Sequence, residues 1–545
     1  IHEETNKMAF KQRGGSSVAT RVATLVLPVV LAACGGGKSD DPAAVAVPQC
    51  SGSSCPPQGQ PAGTPVVGAK LCPDTLDYST TYTGGSGSGE YIKMKFDSTK
   101  KQYQMTFIES AVPTSAGQVN STRAGMTITG DYDNPGGAFA LPTAEQNRCA
   151  IMLKNGKTAD GSYSVTINPQ DPPMLFVGQG IIGGGIPGAT IQFDGLEPFP
   201  GFLIGAVPSR TFDSYPFLGF SETVTDFKQV AGAYNELGFR VNPEGSFAQS
   251  ADGQSMTGWS PTAIQASETL NADGSCTADS SLYSCAMTGT PWTLRTNADG
   301  TPDNVFVSAS SPLSLSYPAV GVGVLQLLFS QSQAHGIMIV GKVNNQLVPV
   351  VIRVGYAHTD ANPLNITNNA LDDQLGISLL APATKIDQTA LSGGYIGANS
   401  ASACGVVTSI GQGSTAIYFN GQLVYVAVGT CGDGSASFNA GVNYGATLFQ
   451  SPSAALLNPF TSALSSNFSL DFTQTQPGLV KVTANKDLMS GGTAIYKAGD
   501  TGVMVRVGPV YGLLMNGVNQ PSLTYDPANY AGKVNPFLSI GAFVQ

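Results

Sequence analysis

Ile92-Lys93-Met94-Lys95-Phe96, a polar stretch from Asp97 to Lys101, and Tyr103-Gln104-Met105-Thr106-Phe107 decide the fold class of this chain. Apolar and polar residues alternate on both sides of a turn, and a period of two places one set on each face of a pleated strand. The pattern predicts an antiparallel hairpin with its apolar face inward. Ala416 to Phe419, Asn420-Gly421 and Gln422 to Val426 repeat it, with Asn-Gly supplying the two positive φ angles of a type I′ turn. Ala-Asp-Gly at 159–161, 251–253, 272–274 and 298–300 predicts further turns. Composition extends the reading, because 66 Gly and 35 Pro accompany only 11% charged residues, against ~25% in an ordinary soluble domain. Such a chain lacks the Glu, Lys and Arg surfaces of coiled coils and helical bundles. The expected fold is all-β, in tandem antiparallel modules that close as barrels or stack as sandwiches and so limit exposed strand edges.

A longer period organises the chain. Asp74…Tyr82, Asp226…Gly232-Ala233-Tyr234 and Asp387…Gly393-Gly394-Tyr395 share one spacing of eight residues from Asp to Tyr. Pro216-Phe217-Leu218 and Pro536-Phe537-Leu538 stand near the ends of two of these units, and an apolar hairpin is expected late in each, at 189–207, 336–355 and 493–508. The markers predict three modules, 71–225, 226–386 and 387–545, each of ordinary domain size.

Residues 1–33 read as a targeting segment: Lys7, Lys11, Arg13 and Arg21 precede an apolar run from Val22 to Ala33. As a helix that run covers roughly 18 Å, short of the ~30 Å hydrocarbon core, so it is a signal and not a span. Leu31-Ala32-Ala33-Cys34-Gly35 resembles the lipobox of bacterial lipoproteins. The resemblance implies that Cys34 is lipidated as the first mature residue and that Gly35 permits export to the outer membrane. Residues 34–70 then form a Gly, Ser, Pro, Ala and Gln tether with too little apolar surface to fold.

Setting Cys34 aside leaves Cys50, Cys55, Cys72, Cys149, Cys276, Cys285, Cys404 and Cys431, an even number that favours disulfides in an exported chain. Spacing suggests Cys276 with Cys285 and Cys404 with Cys431. No C-x-x-C occurs, and the only His residues after the signal are His335 and His358, so neither a zinc site nor any cofactor is expected. With Asn344-Asn345 as a turn, His335 faces Val354 and His358 lies about 13 Å further along, too far to share a metal. A general base at either one is the weaker reading beside a strand-end His.

Other matches are poorer still. Gly178-Gln179-Gly180-Ile181-Ile182-Gly183 fits G-x-G-x-x-G, but Gly184-Gly185-Ile186-Pro187 follows where a helix is required, so a loop or bulged strand is expected. Gly84 to Gly89 holds serines out of register for a nucleophile elbow and reads as a loop. Asp131-Tyr132-Asp133-Asn134-Pro135-Gly136 starts like a calcium loop, then meets Pro135 and Pro142 where ligands belong, which favours an Asx turn. Asp194 with Glu197 and Asp372 with Asp373 are carboxylate pairs in sequence alone. Trp259 and Trp292 read as core before sugar platforms.

Asp226-Phe227-Lys228-Gln229-Val230-Ala231-Gly232-Ala233-Tyr234 resembles the first-strand motif of lipocalin-like barrels, with Tyr in place of Trp. In its lipobox, Gly-rich start and composition, the whole chain resembles the Gly/Ser-rich β lipoproteins of beta-proteobacteria, a likeness that brings no activity with it. The net charge of −10 excludes a basic field for nucleic acid. The expected protein is therefore a non-enzymatic binding or scaffold protein of the outer membrane. Its expected partners are the membrane through Cys34 and an envelope protein, glycan or apolar ligand; an apolar-ligand carrier and an envelope hydrolase are the alternatives.

Overall fold

The computed structural model describes residues 70–544 apart from 119, 194–195, 200–201, 205–206, 245–257, 279–290, 310–333, 359–369, 373–374, 402–413, 420–421, 428–441, 491–492 and 516–536. The chain is all-β, as expected, with one short α-helix among the described residues, α1 (Ala144–Cys149), whose Thr143 cap and Gln146 close a capping box.

The first sheet contains β1 (Tyr82–Ser86), β2 (Tyr91–Asp97), β3 (Gln102–Glu109), β4 (Thr127–Asp133), β5 (Ala150–Lys157), β6 (Ser164–Val165), β7 (Met174–Val177), β8 (Ile181–Phe193) and β11 (Val207–Phe220), with the small hairpin β9 (Leu196–Phe199) and β10 (Phe202–Ile204) between the last two. Each strand follows its neighbour antiparallel, and β4–β5 and β1–β11 pairings close an eight-stranded up-and-down barrel to which β6 is appended. The second sheet runs through β12 (Gly232–Glu244), β13 (Gly258–Leu270), β14 (Cys276–Ala278), β15 (Thr293–Thr296), β16 (Pro302–Val307), β17 (His335–Val343), β18 (Gln346–Val354) and β21 (Leu375–Pro382), with β19 (Tyr356–His358) pairing β20 (Ala370–Asp372) beside it. Its order is the same meander, left open between β14 and β15 among the described residues.

The third sheet is a second closed barrel of β22 (Gly393–Ala401), β25 (Val442–Gln450), β26 (Ser453–Leu457), β27 (Leu464–Asp471), β28 (Val480–Ala484), β31 (Thr501–Val507), β32 (Val510–Met515) and β33 (Phe537–Val544). Two-stranded ribbons β23 (Ser414–Phe419) with β24 (Gln422–Ala427), and β29 (Leu488–Ser490) with β30 (Thr493–Tyr496), hang from it.

The marker motifs precede the first strands. Asp226 and Asp387 each cap a single 3-10 turn, at Phe227–Gln229 and Gln388–Leu391, and β12 and β22 start shortly after. In the first sheet Asp77 does this work by accepting from Ser79 N at 2.9 Å, while Asp74 pairs on the surface with Lys70. The Asp74 match is therefore not the structural counterpart of the other two. Pro216-Phe217-Leu218 and Pro536-Phe537-Leu538 lie on or lead into the closing strands β11 and β33.

The hairpin expected at 336–355 is β17–β18, turned by Asn344 and Asn345 at φ 51° and 62°. That at 189–207 is the outer part of the β8–β11 hairpin. Thr493–Gly508 is not a hairpin: β30 pairs β29, and β31 pairs β28 and β32. The Ala-Asp-Gly turns at 159–161, 272–274 and 298–300 are present, each Asp accepting from the backbone two residues on, and 251–253 lies outside the described residues. Phe419 stands opposite Gln422, and the intervening Asn420-Gly421 lies outside the described residues.

The third barrel is filled. Tyr395, Phe449, Leu456, Phe468, Val480, Met504, Tyr511 and Phe537 come from all eight strands of the third sheet and form one contacting cluster, which can only lie inside the barrel. Tyr395, Phe449 and Tyr511 meet edge to face at 5.0–5.5 Å.

The outer faces are buried as well, against one another. Asn304 Nδ2 on β16 donates to Thr83 Oγ1 on β1 at 3.0 Å between the second and first sheets. Asn235 Nδ2 donates to Pro477 O at 2.8 Å between the second and third, and Met174 N donates to the Tyr444 hydroxyl at 2.5 Å between the first and third. One apolar cluster takes residues from all three sheets, among them Phe217, Leu379 and Leu538. Glycine permits the close approach: a Cβ on Gly341 would stand 2.2 Å from the Phe220 ring, and one on Gly85 would stand 2.6 Å from Ile352.

Candidate functional site

The up-and-down order gathers the β1–β2 turn, the β3–β4 loop, the segment 158–173 and the outer β8–β11 hairpin at one mouth of the first barrel. Ser86, Ser88 and Glu90 recur every second residue, and Gly89 at φ 74° turns the chain between them. All three side chains are buried. Ser88 and Ser110 each donate to Glu90 at 2.6 Å, and the two ends of the Arg123 guanidinium grip the same carboxylate, Nε donating at 2.8 Å. Nη1 reaches Pro187 O and Gly188 O, both at 3.2 Å, and the guanidinium carbon lies 4.4 Å from the Phe107 ring centroid. Burial works against the Arg123 charge, but the Glu90 carboxylate outweighs it and holds the guanidinium protonated. The fully hydrogen-bonded pair plugs the mouth.

Beside it opens a cleft of about 340 Å³, lined by Pro113–Ala116, Tyr163–Thr166, Asn168, Gly188–Thr190 and Thr211–Asp213. Its walls carry hydroxyls, an amide and the Asp213 carboxylate, and Lys, Arg and His are absent from this lining. Thr190 and Thr211 share a hydroxyl hydrogen bond at 2.8 Å. Desolvation and the charge of Asp213 together raise the neighbouring Asp171 carboxyl above its usual range. The donors and acceptors suit a neutral or cationic hydrogen-bonding ligand.

A second polar cluster ties β2 and β3 to the middle sheet. Lys93 Nζ lies 2.6 Å from Asp303 Oδ1, Arg295 Nη1 lies 2.8 Å from Asp303 Oδ2, and the Tyr91 hydroxyl donates to the same oxygen at 3.0 Å. Arg295 also pairs with Glu109, whose second oxygen lies 2.6 Å from His335 Nε2. Burial opposes ionising Glu109 and Asp303; the His335 and Arg295 contacts on one, and the Lys93 contact on the other, lower both carboxyls all the same. His335 stands opposite Val354, as the sequence places it, and is spent on this strut. His358 ends β19 with its ring stacked 6.3 Å from Tyr356.

Cys34, Cys285, Cys404 and Cys431 lie outside the described residues, and Cys276 is disulfide-bonded. Cys72 and Cys149, which spacing did not pair, form a disulfide with Cα atoms 5.7 Å apart. Their sulfurs and Glu145 are the one cluster among the described residues with metal-ligand proximity, but two bonded sulfurs offer no thiolate. The expected Asx turn at Asp131 is wrong: Asp131–Asp133 continue β4, and Asn134 Nδ2 donates to Ala150 O at 2.9 Å. Gly84–Ser86 are strand, not loop.

Gly178–Gly180 make the β7–β8 turn, with Gly178 N donating to Ile181 O at 2.7 Å. Trp292 is core, 3% exposed. Asp194 and Asp373 lie outside the described residues, as does the side chain of Glu197. The plug was missed because Arg123 sits in an irregular loop; the one sequence signal was Ser86-x-Ser88-x-Glu90 running with period two into β2.

A family model described as "Protein of unknown function (DUF2957)" matches residues 102–542, and the chain belongs to that family. Among solved structures, intact Ap-TbpB (N and C lobes) is similar over 83% of this chain at 8% identity and a TM-score of 0.18. The chain spans 66% of that protein, just under two thirds. The apo haemoglobin receptor HpuA from Kingella denitrificans is similar over 59% of this chain and 89% of its own, at 12% identity and a TM-score of 0.15. No curated protein matches.

Proposed function

We propose that this protein is a non-enzymatic binding protein of the cell envelope, anchored in the outer membrane by a lipid on Cys34, with its partner held at the mouth of the first barrel. In this reading, residues 71–225, 226–386 and 387–545 are three copies of one meander packed into a rigid support. The carrying observation is the polar cleft on the rim of a plugged barrel, with a support around it whose third barrel is filled by side chains. The filled interior of the third barrel disfavours an apolar-ligand carrier there.

Two measurements test the reading. Cys34→Ser is expected to move the protein from the membrane to the soluble envelope fraction, and unchanged fractionation would remove the anchor. A photo-crosslinking residue placed in living cells at Thr166, in the cleft, is expected to give a discrete adduct that the same residue at exposed Ser469 does not give. Identical adducts from both positions, or none, would reject the cleft as the binding site.

A further inference from the structure

Two sets of polar side chains line the cleft beside the plug. In the first, Ser164, Thr166 and Asn168 are exposed, whereas Val165 is buried and Ile167 half-buried against the core. That alternation puts the three on one face of an extended stretch, as a row of hydroxyl, hydroxyl and amide at intervals of about 6.6 Å. Ile167 N donates to Asn155 Oδ1 at 2.7 Å and fastens the row to β5. In the second, Thr190 and Thr211 stand directly opposite on β8 and β11 with their hydroxyls 2.8 Å apart. One hydroxyl of the pair donates to the other, which leaves a donor and several lone pairs for a third group.

Charge narrows the class of ligand. The lining holds no Lys, Arg or His, and the neighbouring Arg123 guanidinium is buried on Glu90 and on the carbonyls of Pro187 and Gly188. An anion would enter without a counter-charge. Asp213, the one charged residue of the lining, already has a partner and sets no demand for a cation. An apolar ligand would strip water from the hydroxyls and the amide without replacing its hydrogen bonds. A neutral polyol matches, because each of its hydroxyls both donates and accepts, as those of the lining do. Ala116, exposed, and Ala189, half-buried, add small apolar patches for the C–H face of a sugar ring.

We propose that the cleft binds a neutral saccharide, held between the Ser164-Thr166-Asn168 row and the Thr190–Thr211 pair. This inference rests on the binding role above and names the ligand's chemistry. The volume of about 340 Å³ stands at the lower end of the ~300–1,000 Å³ of small-molecule sites, so a short saccharide or one stretch of a longer chain fills it.

The experiment screens the full chain against immobilised neutral oligosaccharides of glucose, mannose, galactose, xylose and N-acetylglucosamine in α and β linkages, beside heparin and polygalacturonate fragments. The best binder is then measured by calorimetry. A neutral saccharide is expected to bind, with an affinity that added salt does not change, because no charge is paired. Thr166→Trp, which fills the cleft, is expected to lower that affinity at least tenfold, and Thr190→Val with Thr211→Val severalfold. Thr166→Ser keeps the hydroxyl and should keep binding, as should Ser469→Trp on the exposed side of β27. Matched melting temperatures for the variants exclude misfolding.

Capture of no neutral saccharide, capture of the acidic fragments alone, or neutral-saccharide binding that survives Thr166→Trp would each overturn the proposal. A polypeptide adduct at Thr166 in cells, with no saccharide bound by the purified chain, would overturn the saccharide while leaving the cleft as the binding site. Identical adducts at Thr166 and Ser469, or none, would remove the binding site itself.

Discussion

The hairpins β2–β3 and β17–β18 have the same local geometry and opposite surroundings. Along β2 and β3, buried residues alternate with half-exposed ones, Met94 and Phe96 inward, Lys95 and Gln104 outward. Along β17 and β18, six and seven consecutive residues are buried. One face, with Met338, Val340 and Val351, packs with Phe306, Trp292 and Leu380 of its own sheet. The other meets the first barrel, where a Cβ on Gly85 would stand 2.6 Å from Ile352 and 3.2 Å from Ile339. One hairpin is a wall with a wet side; the other is a party wall between sheets. The difference shows where the strand surface of a chain with 11% charged residues goes: much of it faces other strands.

Ile352→Ala on the party wall is expected to cost about 2–5 kcal/mol in denaturant unfolding, whereas Lys95→Ala on the wet wall should stay within about 0.5 kcal/mol. Equal effects would erase the distinction. Gly341→Ala drives a methyl into the Phe220 ring and is expected to cost about 1–3 kcal/mol by the same assay. A smaller effect comes from acid.

Glu109 and Asp303 are held below their ordinary values of 4.5 and 3.8 when folded, so the unfolded chain binds protons more readily as pH falls. Their contribution is complete above the higher of these values and is lost as pH drops through the lowered ones. The melting temperature should therefore fall less steeply with acid in a Glu109→Gln, Asp303→Asn double variant than in wild type. The exposed-side hydroxyl pair Thr106–Thr127 at 2.9 Å is a minor contact, where Thr106→Val should cost no more than about 1 kcal/mol.

The wet wall was the legible part. Period-two alternation at Ile92–Phe107 identifies a hairpin because water leaves one face polar, and Asn344-Asn345 identifies a turn because few residues accept two positive φ angles. The party wall reads only as an apolar run, which fixes a hairpin and says nothing of what covers it. Barrel closure was open between alternatives because it depends on β4 meeting β5 and β1 meeting β11, contacts that no local pattern encodes. The Cys72–Cys149 disulfide was invisible to spacing for the same reason: 77 residues separate its partners. The Arg123 plug joins two loops to strand β8, and only its Ser86-x-Ser88-x-Glu90 arm carried a periodic signal.

The central claim is that three sheets sharing buried outer faces form one cooperative body. Differential scanning calorimetry of the intact protein tests it most directly. A single transition with matching calorimetric and van't Hoff enthalpies is the expected result. Two or three separate transitions, each surviving when the others have melted, would contradict it and return the chain to independent modules on a string.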